Sequence, residues 1–123
     1  MATIAIIEDD ESIREMYKFK FEADGYKVVT ASNGKEGLAL IEKEKPNLIL
    51  LDLMMPEMTG HEMLKEMRKT DWGKDIKVII LTNVGKDEAY PLVNPYNVSG
   101  FVVKAHYTPQ EVVDTVNKSL RAS

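Results

Sequence analysis

The chain has 123 residues, 44% of them hydrophobic, which is enough for one domain with a real core and too few for two. Its formal net charge of −4 argues against a domain that binds the phosphate backbone of nucleic acids through a basic surface. Because the sequence contains no cysteine, disulfides, thiolate metal sites and thiol redox chemistry are excluded.

The amino-terminal residues enter an apolar stretch of only a few residues. The sequence has neither the charged start and long apolar core of a secretion signal nor a run of about 20 apolar residues, the length that spans a bilayer. We therefore expect a soluble, cytoplasmic protein that does not insert into a membrane.

The first predicted strand and the first predicted helix follow each other closely. Thr3–Ile7 is an apolar run short enough for a strand, and residues 12–24 carry apolar side chains at every fourth position, which is typical of an amphipathic helix. Two caps are open for the start of this helix. Ser12 and Glu15 would form a capping box, whereas Asp10 would cap a helix that starts slightly earlier.

The same alternation continues through the middle of the chain. Residues 26–31 and Leu48–Leu51 are the second and third predicted strands, and residues 35–45 predict a helix that stops before Pro46. An uninterrupted apolar run such as Leu48–Leu51 is typical of a central strand that is buried on both faces. It leads directly into Asp52, which on its own could equally well cap the following turn.

The second half of the chain is less regular. It contains a predicted helix over residues 60–69 and strands over residues 77–81 and 100–104. Residues 85–100 predict only a short or irregular helix, because Pro91 and Pro95 interrupt the helical pattern.

The last helix has the clearest start signal. Thr108 is a favourable amino-terminal cap, Pro109 suits the first helical position, and Glu111 completes a capping box. With this helix, five strands alternate with five helical segments. Such alternation predicts an α/β domain with one parallel sheet, right-handed crossovers and helices on both faces.

Polar side chains end several of the predicted strands. They are Glu8, Asp9 and Asp10 after the first strand, Asp52 after the third, Thr82 after the fourth and Lys104 at the end of the fifth. In a parallel sheet these ends lie at one edge, where ligands bind. Carboxylates so close together resist joint ionisation unless a cation lies between them. Oxygen ligands without histidine or cysteine favour a hard ion, and Mg²⁺ is the natural candidate.

The sequence of the loop after the first strand indicates which kind of phosphate site is possible. Its sequence, E-D-D-E-S, has no glycine, which argues against a dinucleotide or P-loop site. A bound metal would instead let a phosphoryl group approach Asp52 as a nucleophile, with Lys104 and Thr82 stabilising the charge on its oxygens. The expected product is an aspartyl phosphate.

Together these residues resemble the receiver domain of bacterial two-component response regulators. The matching positions are the acidic pair Glu8 and Asp9, the stretch D-L-M-M-P-E-M-T-G that starts at Asp52, Thr82, and Phe101 with Lys104. The resemblance covers essentially the whole chain, so we expect residues 1–123 to form one receiver domain. It implies a doubly wound, flavodoxin-like (βα)5 fold with five parallel strands in a three-layer sandwich.

The resemblance also implies roles for the site residues. Asp52 would be phosphorylated by a histidine kinase or a phosphotransfer protein. Mg²⁺ would be held by Asp9, Asp52 and the backbone carbonyl of Met54, and Glu8 would act through a water molecule. The apolar side chains of Met54 and Val84 would flank the approach of water, which predicts slow loss of the phosphoryl group.

The resemblance further implies a switch. The Thr82 hydroxyl would turn toward the phosphoryl group, and Phe101 would rotate inward, although we expect this ring to lie substantially inward already. The chain departs from the family at Ala105, where a proline usually follows the lysine. Because a cis bond before alanine costs about 3 to 4 kcal/mol, we expect the bond between Lys104 and Ala105 to be trans.

Two other function classes remain open: a phosphatase that works through an aspartyl phosphate, and a docking domain that is not phosphorylated. The phosphatase needs a second acid two residues after the nucleophile, and Met54 occupies that position. We therefore expect no enzyme activity beyond the domain's own phosphorylation and dephosphorylation. The output would be a downstream protein target or an effector domain of a longer chain, and a phosphorylation-dependent dimer is compatible with either.

Overall fold

The computed structural model describes residues 2–122, in which five strands form one parallel sheet. The strand order across the sheet is β2-β1-β3-β4-β5. The strands are β1 (Thr3–Ile7), β2 (Lys27–Ala31), β3 (Leu48–Leu51), β4 (Lys77–Thr82) and β5 (Gly100–Val103). The predicted flavodoxin-like sheet is confirmed.

Five α-helices connect and follow the strands, again within residues 2–122. They are α1 (Glu11–Ala23), α2 (Gly34–Glu44), α3 (Gly60–Arg68), α4 (Lys86–Val93) and α5 (Pro109–Arg121). One apolar cluster lies between the sheet and α2, α3 and α4, and a second lies between the sheet and α1 and α5. The predicted three-layer sandwich is therefore confirmed. No helix in the described part of the chain is long and apolar enough to cross a bilayer.

The apolar strands build both clusters at once. Side chains alternate along β1, so that Ala5 and Ile7 pack into the first cluster while Ile4 and Ile6 pack into the second. All residues of β3 are buried, because β1 and β4 pair with it on either side and helices cover both faces. Burial on both faces explains why β3 is uninterruptedly apolar.

Side-chain caps start most of the helices. The Asp10 carboxylate accepts a hydrogen bond from the Ile13 N–H at 3.0 Å, so α1 begins at Glu11. The alternative capping box of Ser12 and Glu15 is wrong, because both residues already lie inside the helix. At α5, the predicted capping box of Thr108 and Glu111 is confirmed.

The helix between β4 and β5 is short, as expected. Helix α4 has only 8 residues, contains Pro91, and is followed by a 3₁₀ turn over Asn94–Tyr96. Strand β5 ends at Val103, one residue earlier than predicted, because Val103 pairs with the last residue of β4 and Lys104 starts a second 3₁₀ turn. The peptide bond between Lys104 and Ala105 is trans, as expected.

Candidate functional site

The polar residues predicted at the strand ends meet in an open pocket at the carboxyl edge of the sheet. The pocket has a volume of about 250 Å³, and its lining includes Glu8, Asp9, Asp52, Met54, Asn83 and Lys104. These residues come from the ends of four different strands, which the order β1-β3-β4-β5 brings side by side. The expected convergence of acidic groups and one lysine at this edge is confirmed.

Asp52 is the first residue after β3, and its side chain is only 4% exposed. Its N–H donates to the carbonyl of Ile7 at 2.9 Å, which extends the pairing of β1 with β3 by one residue. One carboxylate oxygen, Oδ1, accepts a hydrogen bond from the Met54 N–H at 3.2 Å. Backbone contacts on both sides therefore hold this carboxylate at the pocket floor.

The conformation of the loop after Asp52 depends on Gly60, the first residue of α3. A Cβ atom at this position would lie 2.1 Å from the backbone oxygen of Asp52, far closer than a side chain tolerates. The Gly60 N–H also donates to the carbonyl of Leu53 at 3.1 Å. Within the loop, Glu57 adopts a positive φ of 67°, which residues with side chains rarely adopt. The loop therefore folds back tightly over the carboxylate-bearing residue.

Glu8 follows β1 and is buried, with 2% of its surface exposed. One carboxylate oxygen accepts a hydrogen bond from the Lys104 ammonium at 2.6 Å, and the other accepts one from the Asp10 N–H at 3.1 Å. Burial raises the pKa of Glu8 to about 7; the negative charge of Asp52 adds to the increase, while the hydrogen bond from Lys104 opposes it. In the absence of metal this carboxyl group therefore takes up a proton readily.

Lys104 reaches both buried carboxylates. Its ammonium nitrogen lies 2.6 Å from Oε1 of Glu8 and 3.5 Å from Oδ2 of Asp52. Burial lowers the pKa of Lys104, but the hydrogen bond to Glu8 and the charge of Asp52 outweigh it, so that the pKa is raised overall. The site thus keeps one positive charge beside its carboxylates at neutral pH.

Three carboxylates form a set that fits a metal ion. Oxygen atoms of Glu8, Asp9 and Asp52 lie within 4.8 Å of one another. Asp9 is exposed whereas the other two are buried, so one side of the set is open to water. All donors are carboxylate oxygens, and Mg²⁺ prefers a few such ligands together with several waters. The donor chemistry therefore fits a hard divalent cation.

The two predicted switch residues lie on the neighbouring strands β4 and β5. Thr82 is fully buried at the end of β4, and its hydroxyl oxygen accepts a long hydrogen bond from the Val84 N–H at 3.3 Å. Phe101 on β5 is half-buried, and its ring meets the Tyr90 ring edge-on with 6.0 Å between centroids. The ring also packs against the apolar cluster between the sheet and α2, α3 and α4, so it is partly turned inward, as expected.

One residue that touches the site loop was not found from the sequence. Arg14, in the first part of α1, donates a hydrogen bond from its guanidinium to the backbone carbonyl of Glu8 at 2.9 Å. The available signal was a cation shortly after a run of four acidic residues, at 8–11.

A family model described as "Response regulator receiver domain" matches residues 4–117, which is nearly the entire chain. The chain belongs to the response regulator receiver domain family. Receiver domains of this family are signalling domains of two-component systems.

Curated relatives of this receiver domain are longer proteins. The alkaline phosphatase synthesis transcriptional regulatory protein PhoP of Bacillus subtilis is 35% identical over 122 residues, which cover 98% of this chain and 49% of that protein. The probable transcriptional regulator ycf27 of Porphyra purpurea is 34% identical over 120 residues, which cover 96% of this chain and 47% of that protein. The chain therefore spans about half the length of these relatives.

Solved structures agree over the entire fold. The chemotaxis response regulator CheY4 of Vibrio cholerae matches with a TM-score of 0.89 and 30% identity, covering 97% of this chain and 98% of that one. A CheY-like receiver domain protein of Methanospirillum hungatei JF-1 matches with a TM-score of 0.90 and 29% identity, covering 98% of this chain and 94% of that one.

Proposed function

We propose that this receiver domain accepts a phosphoryl group on Asp52 from the phosphohistidine of a histidine kinase or phosphotransfer protein, and passes the signal on by a change of conformation. The observation that carries this proposal is the pocket itself. In it, the Asp52 carboxylate lies 3.5 Å from the Lys104 ammonium and within 4.8 Å of oxygen atoms of Glu8 and Asp9.

In the proposed reaction an oxygen of the Asp52 carboxylate attacks the phosphorus atom. A P–O bond to Asp52 forms while the P–N bond to the donor imidazole breaks, and the imidazole keeps the electron pair and takes up a proton from water. Such a transfer depends mainly on positioning and on stabilisation of the charge that spreads over the phosphoryl oxygens. Lys104 provides a positive charge for these oxygens, and the backbone contacts of Asp52 hold the nucleophile still.

We assign the divalent ion to the acidic set, with Asp9, Asp52 and the backbone carbonyl of Met54 as ligands. When bound, Mg²⁺ offsets the repulsion between the carboxylates and the incoming phosphoryl oxygens. Glu8 already bonds to Lys104 at 2.6 Å, which supports a role for it through a water molecule instead of as a direct ligand.

The signal would leave the site through Thr82 and the start of α4. A phosphoryl oxygen is a strong acceptor for the Thr82 O–H, and the hydrogen bond that the hydroxyl oxygen now accepts from the Val84 N–H is long, at 3.3 Å. Gly85, the residue before α4, forms no side-chain cap hydrogen bond, so no side chain stabilises this end of the helix. We therefore expect residues 85–100 to respond more strongly than the ring of Phe101.

This response would be read on the face formed by α4, β5 and α5. A groove of about 530 Å³ lies there, lined by Gly85 and Lys86 of the α4 start, by Phe101 and Val103 of β5, and by Tyr107. The occupant would be either an effector domain of a longer chain or a separate protein. Relatives of about twice the length that are named transcriptional regulators support the first arrangement.

Phosphorylation is tested by measuring the intact mass after incubation with acetyl phosphate and Mg²⁺. We expect one phosphoryl group on the wild-type protein and none on Asp52→Asn, because an amide is not a competent nucleophile. Asp10→Asn is the matched control, since Asp10 caps α1 and should leave uptake intact. Uptake by Asp52→Asn at the wild-type rate would contradict the assignment, and no uptake by any protein would favour an unphosphorylated docking domain.

The switch is tested by NMR with beryllofluoride, which mimics a bound phosphoryl group. We expect large backbone shift changes across residues 85–100 and a modest change at the Phe101 ring. A large reorientation of the ring with unchanged shifts in residues 85–100 would contradict this route.

A further inference from the structure

The guanidinium of Arg14 binds the loop that carries the acidic pair. Its Nη1 atom donates to the backbone carbonyl of Glu8 at 2.9 Å, and the side chain is half-buried. Four acidic residues, 8–11, precede it in the sequence. Even so, within residues 2–122 its guanidinium forms no ion pair with a carboxylate. Arg14 therefore contacts this loop through one hydrogen bond to a backbone carbonyl, which fixes the orientation of the guanidinium relative to the Glu8 carbonyl.

This contact completes the fixation of Glu8. The Glu8 N–H donates to the Ala31 carbonyl at 3.0 Å, and both carboxylate oxygens accept hydrogen bonds, from Lys104 and from the Asp10 N–H. The carbonyl is the last polar group of this residue, and Arg14 holds it. Because the Glu8 carbonyl and the Asp9 N–H share one peptide plane, holding the carbonyl also sets the orientation of that plane.

The orientation of this plane matters for Asp9 in particular. The Asp9 side chain is exposed, and in the described part of the chain its carboxylate accepts no hydrogen bond. Its oxygen nevertheless lies within 4.8 Å of oxygens of Glu8 and Asp52. The direction of this carboxylate therefore depends on its backbone, which the preceding peptide plane orients.

We propose that Arg14 is a positioning residue for the metal site: by holding the Glu8 carbonyl, it directs the Asp9 carboxylate into the pocket so that Asp9 and Asp52 can bind one divalent cation together. This inference rests on the proposed function, since it concerns the same cation. Arg14 itself touches neither the cation nor the phosphoryl group.

An electrostatic role and a positioning role of Arg14 predict opposite changes in Mg²⁺ affinity when the residue is replaced. A guanidinium near the site repels Mg²⁺, so a role through charge alone would make its removal tighten Mg²⁺ binding. A role in positioning would make its removal weaken binding, because Asp9 would no longer be held in place. The sign of the change in affinity therefore separates the two.

The experiment measures the Mg²⁺ affinity of the full chain by calorimetry. Arg14→Met keeps most of the apolar stem but has no donor, and Arg14→Lys keeps a donor. We expect about 3- to 10-fold weaker binding for Arg14→Met, the loss of one hydrogen bond, and near wild-type binding for Arg14→Lys. Lys18→Ala is the matched control, because Lys18 is also half-buried on α1. It should bind Mg²⁺ as tightly as the wild type or slightly more tightly.

A second measurement follows the loop without metal. In the presence of a chelator, amide hydrogen exchange at Asp10, whose N–H donates to the Glu8 carboxylate, should be faster in Arg14→Met than in the wild type, and unchanged in Lys18→Ala. Arg14→Ala serves as a second variant, so that a folding defect in one does not decide the result. Unchanged or tighter Mg²⁺ binding by the Arg14 variants would overturn the proposal for Arg14. Failure of the wild type to bind Mg²⁺ would instead overturn the proposed metal site.

Discussion

The ammonium nitrogen of Lys104 lies 2.6 Å from a carboxylate oxygen of Glu8, although the two residues follow strands that are not neighbours in the sheet. β3 and β4 lie between them, so the lysine side chain crosses the ends of both. On its way it passes Asp52 at 3.5 Å. One cation thus compensates two buried carboxylates, and this relationship determines how the metal-free site responds to pH.

The first prediction concerns that pH response. Folding raises the pKa of Glu8 from 4.5 to about 7, mainly through burial. Between these values the folded protein keeps a proton that the unfolded chain has released, so the stability of the metal-free protein should fall as pH rises from about 4.5 to 7. The loss should reach at most about 3 kcal/mol. Urea denaturation with a chelator measures it. Glu8→Gln should lack this part of the pH dependence, and an identical slope in both proteins would contradict the pKa assignment.

The second prediction separates two neighbouring aspartates. Asp9→Ala should weaken Mg²⁺ binding by about tenfold or more, because it removes a proposed ligand. Asp10→Ala should leave affinity nearly unchanged but lower stability by about 1 kcal/mol, because Asp10 caps α1. Calorimetry is preferable to tryptophan fluorescence as the method. Trp72, the single tryptophan of the sequence, lies in the loop before β4, at the opposite edge of the sheet from the pocket. Equal effects on affinity would contradict the ligand assignment.

The third prediction concerns the loop that folds over Asp52. Gly60→Ala would place a methyl group 2.1 Å from the Asp52 backbone oxygen, so the loop must move. We expect a loss of stability of about 2 kcal/mol or more, together with slower phosphoryl uptake. Gly85→Ala is the matched control, because a Cβ there meets no atom within 4 Å. Its stability should stay within about 1 kcal/mol of the wild type. Similar losses in both variants, measured by urea denaturation, would count against the role of Gly60.

The fourth prediction concerns Arg68 at the end of α3. Its guanidinium donates to four backbone carbonyls, those of Gly73, Ile76, Tyr96 and Asn97, at 2.7 to 2.8 Å. Arg68→Met should lower the free energy of unfolding by about 2 to 4 kcal/mol, because it leaves four carbonyls without this donor, three of them in partly buried hydrogen bonds. Lys69→Met, which removes an exposed ion pair with Glu66, should change stability by less than about 1 kcal/mol. A loss below 1 kcal/mol for Arg68→Met would show that these hydrogen bonds contribute little.

Local patterns predicted the elements of this fold because local physical chemistry determines them. The apolar run Leu48–Leu51 is buried because a central parallel strand has no exposed face, and the cap of α5 at Thr108 depends only on residues within one turn. The start of α1 was ambiguous because Asp10 and Ser12 are both good caps. In the structure α1 begins at Glu11, soon after the end of β1, so Asp10 is the cap.

Contacts between distant parts of the chain were harder to predict. The strand ends indicated that Lys104 and Glu8 lie at one edge, but their 2.6 Å contact depends on the rotamer of a long side chain and on a turn that starts at Lys104 itself. The hydrogen bonds of Arg68 join positions up to 29 residues apart, and no short pattern specifies them. Arg14 binds a backbone carbonyl, which leaves no side-chain partner in the sequence to suggest the contact.

The most direct test of the proposed function is to locate the phosphoryl group chemically. Borohydride reduces an aspartyl phosphate to homoserine, so peptide mass mapping after treatment with acetyl phosphate, Mg²⁺ and borohydride identifies the carboxylate that reacted. We predict homoserine at position 52 alone, and none when a chelator replaces Mg²⁺. Reduction at Glu8 or Asp9, or an unmodified Asp52 in protein that carries a phosphoryl group, would contradict the assignment of Asp52 as the acceptor.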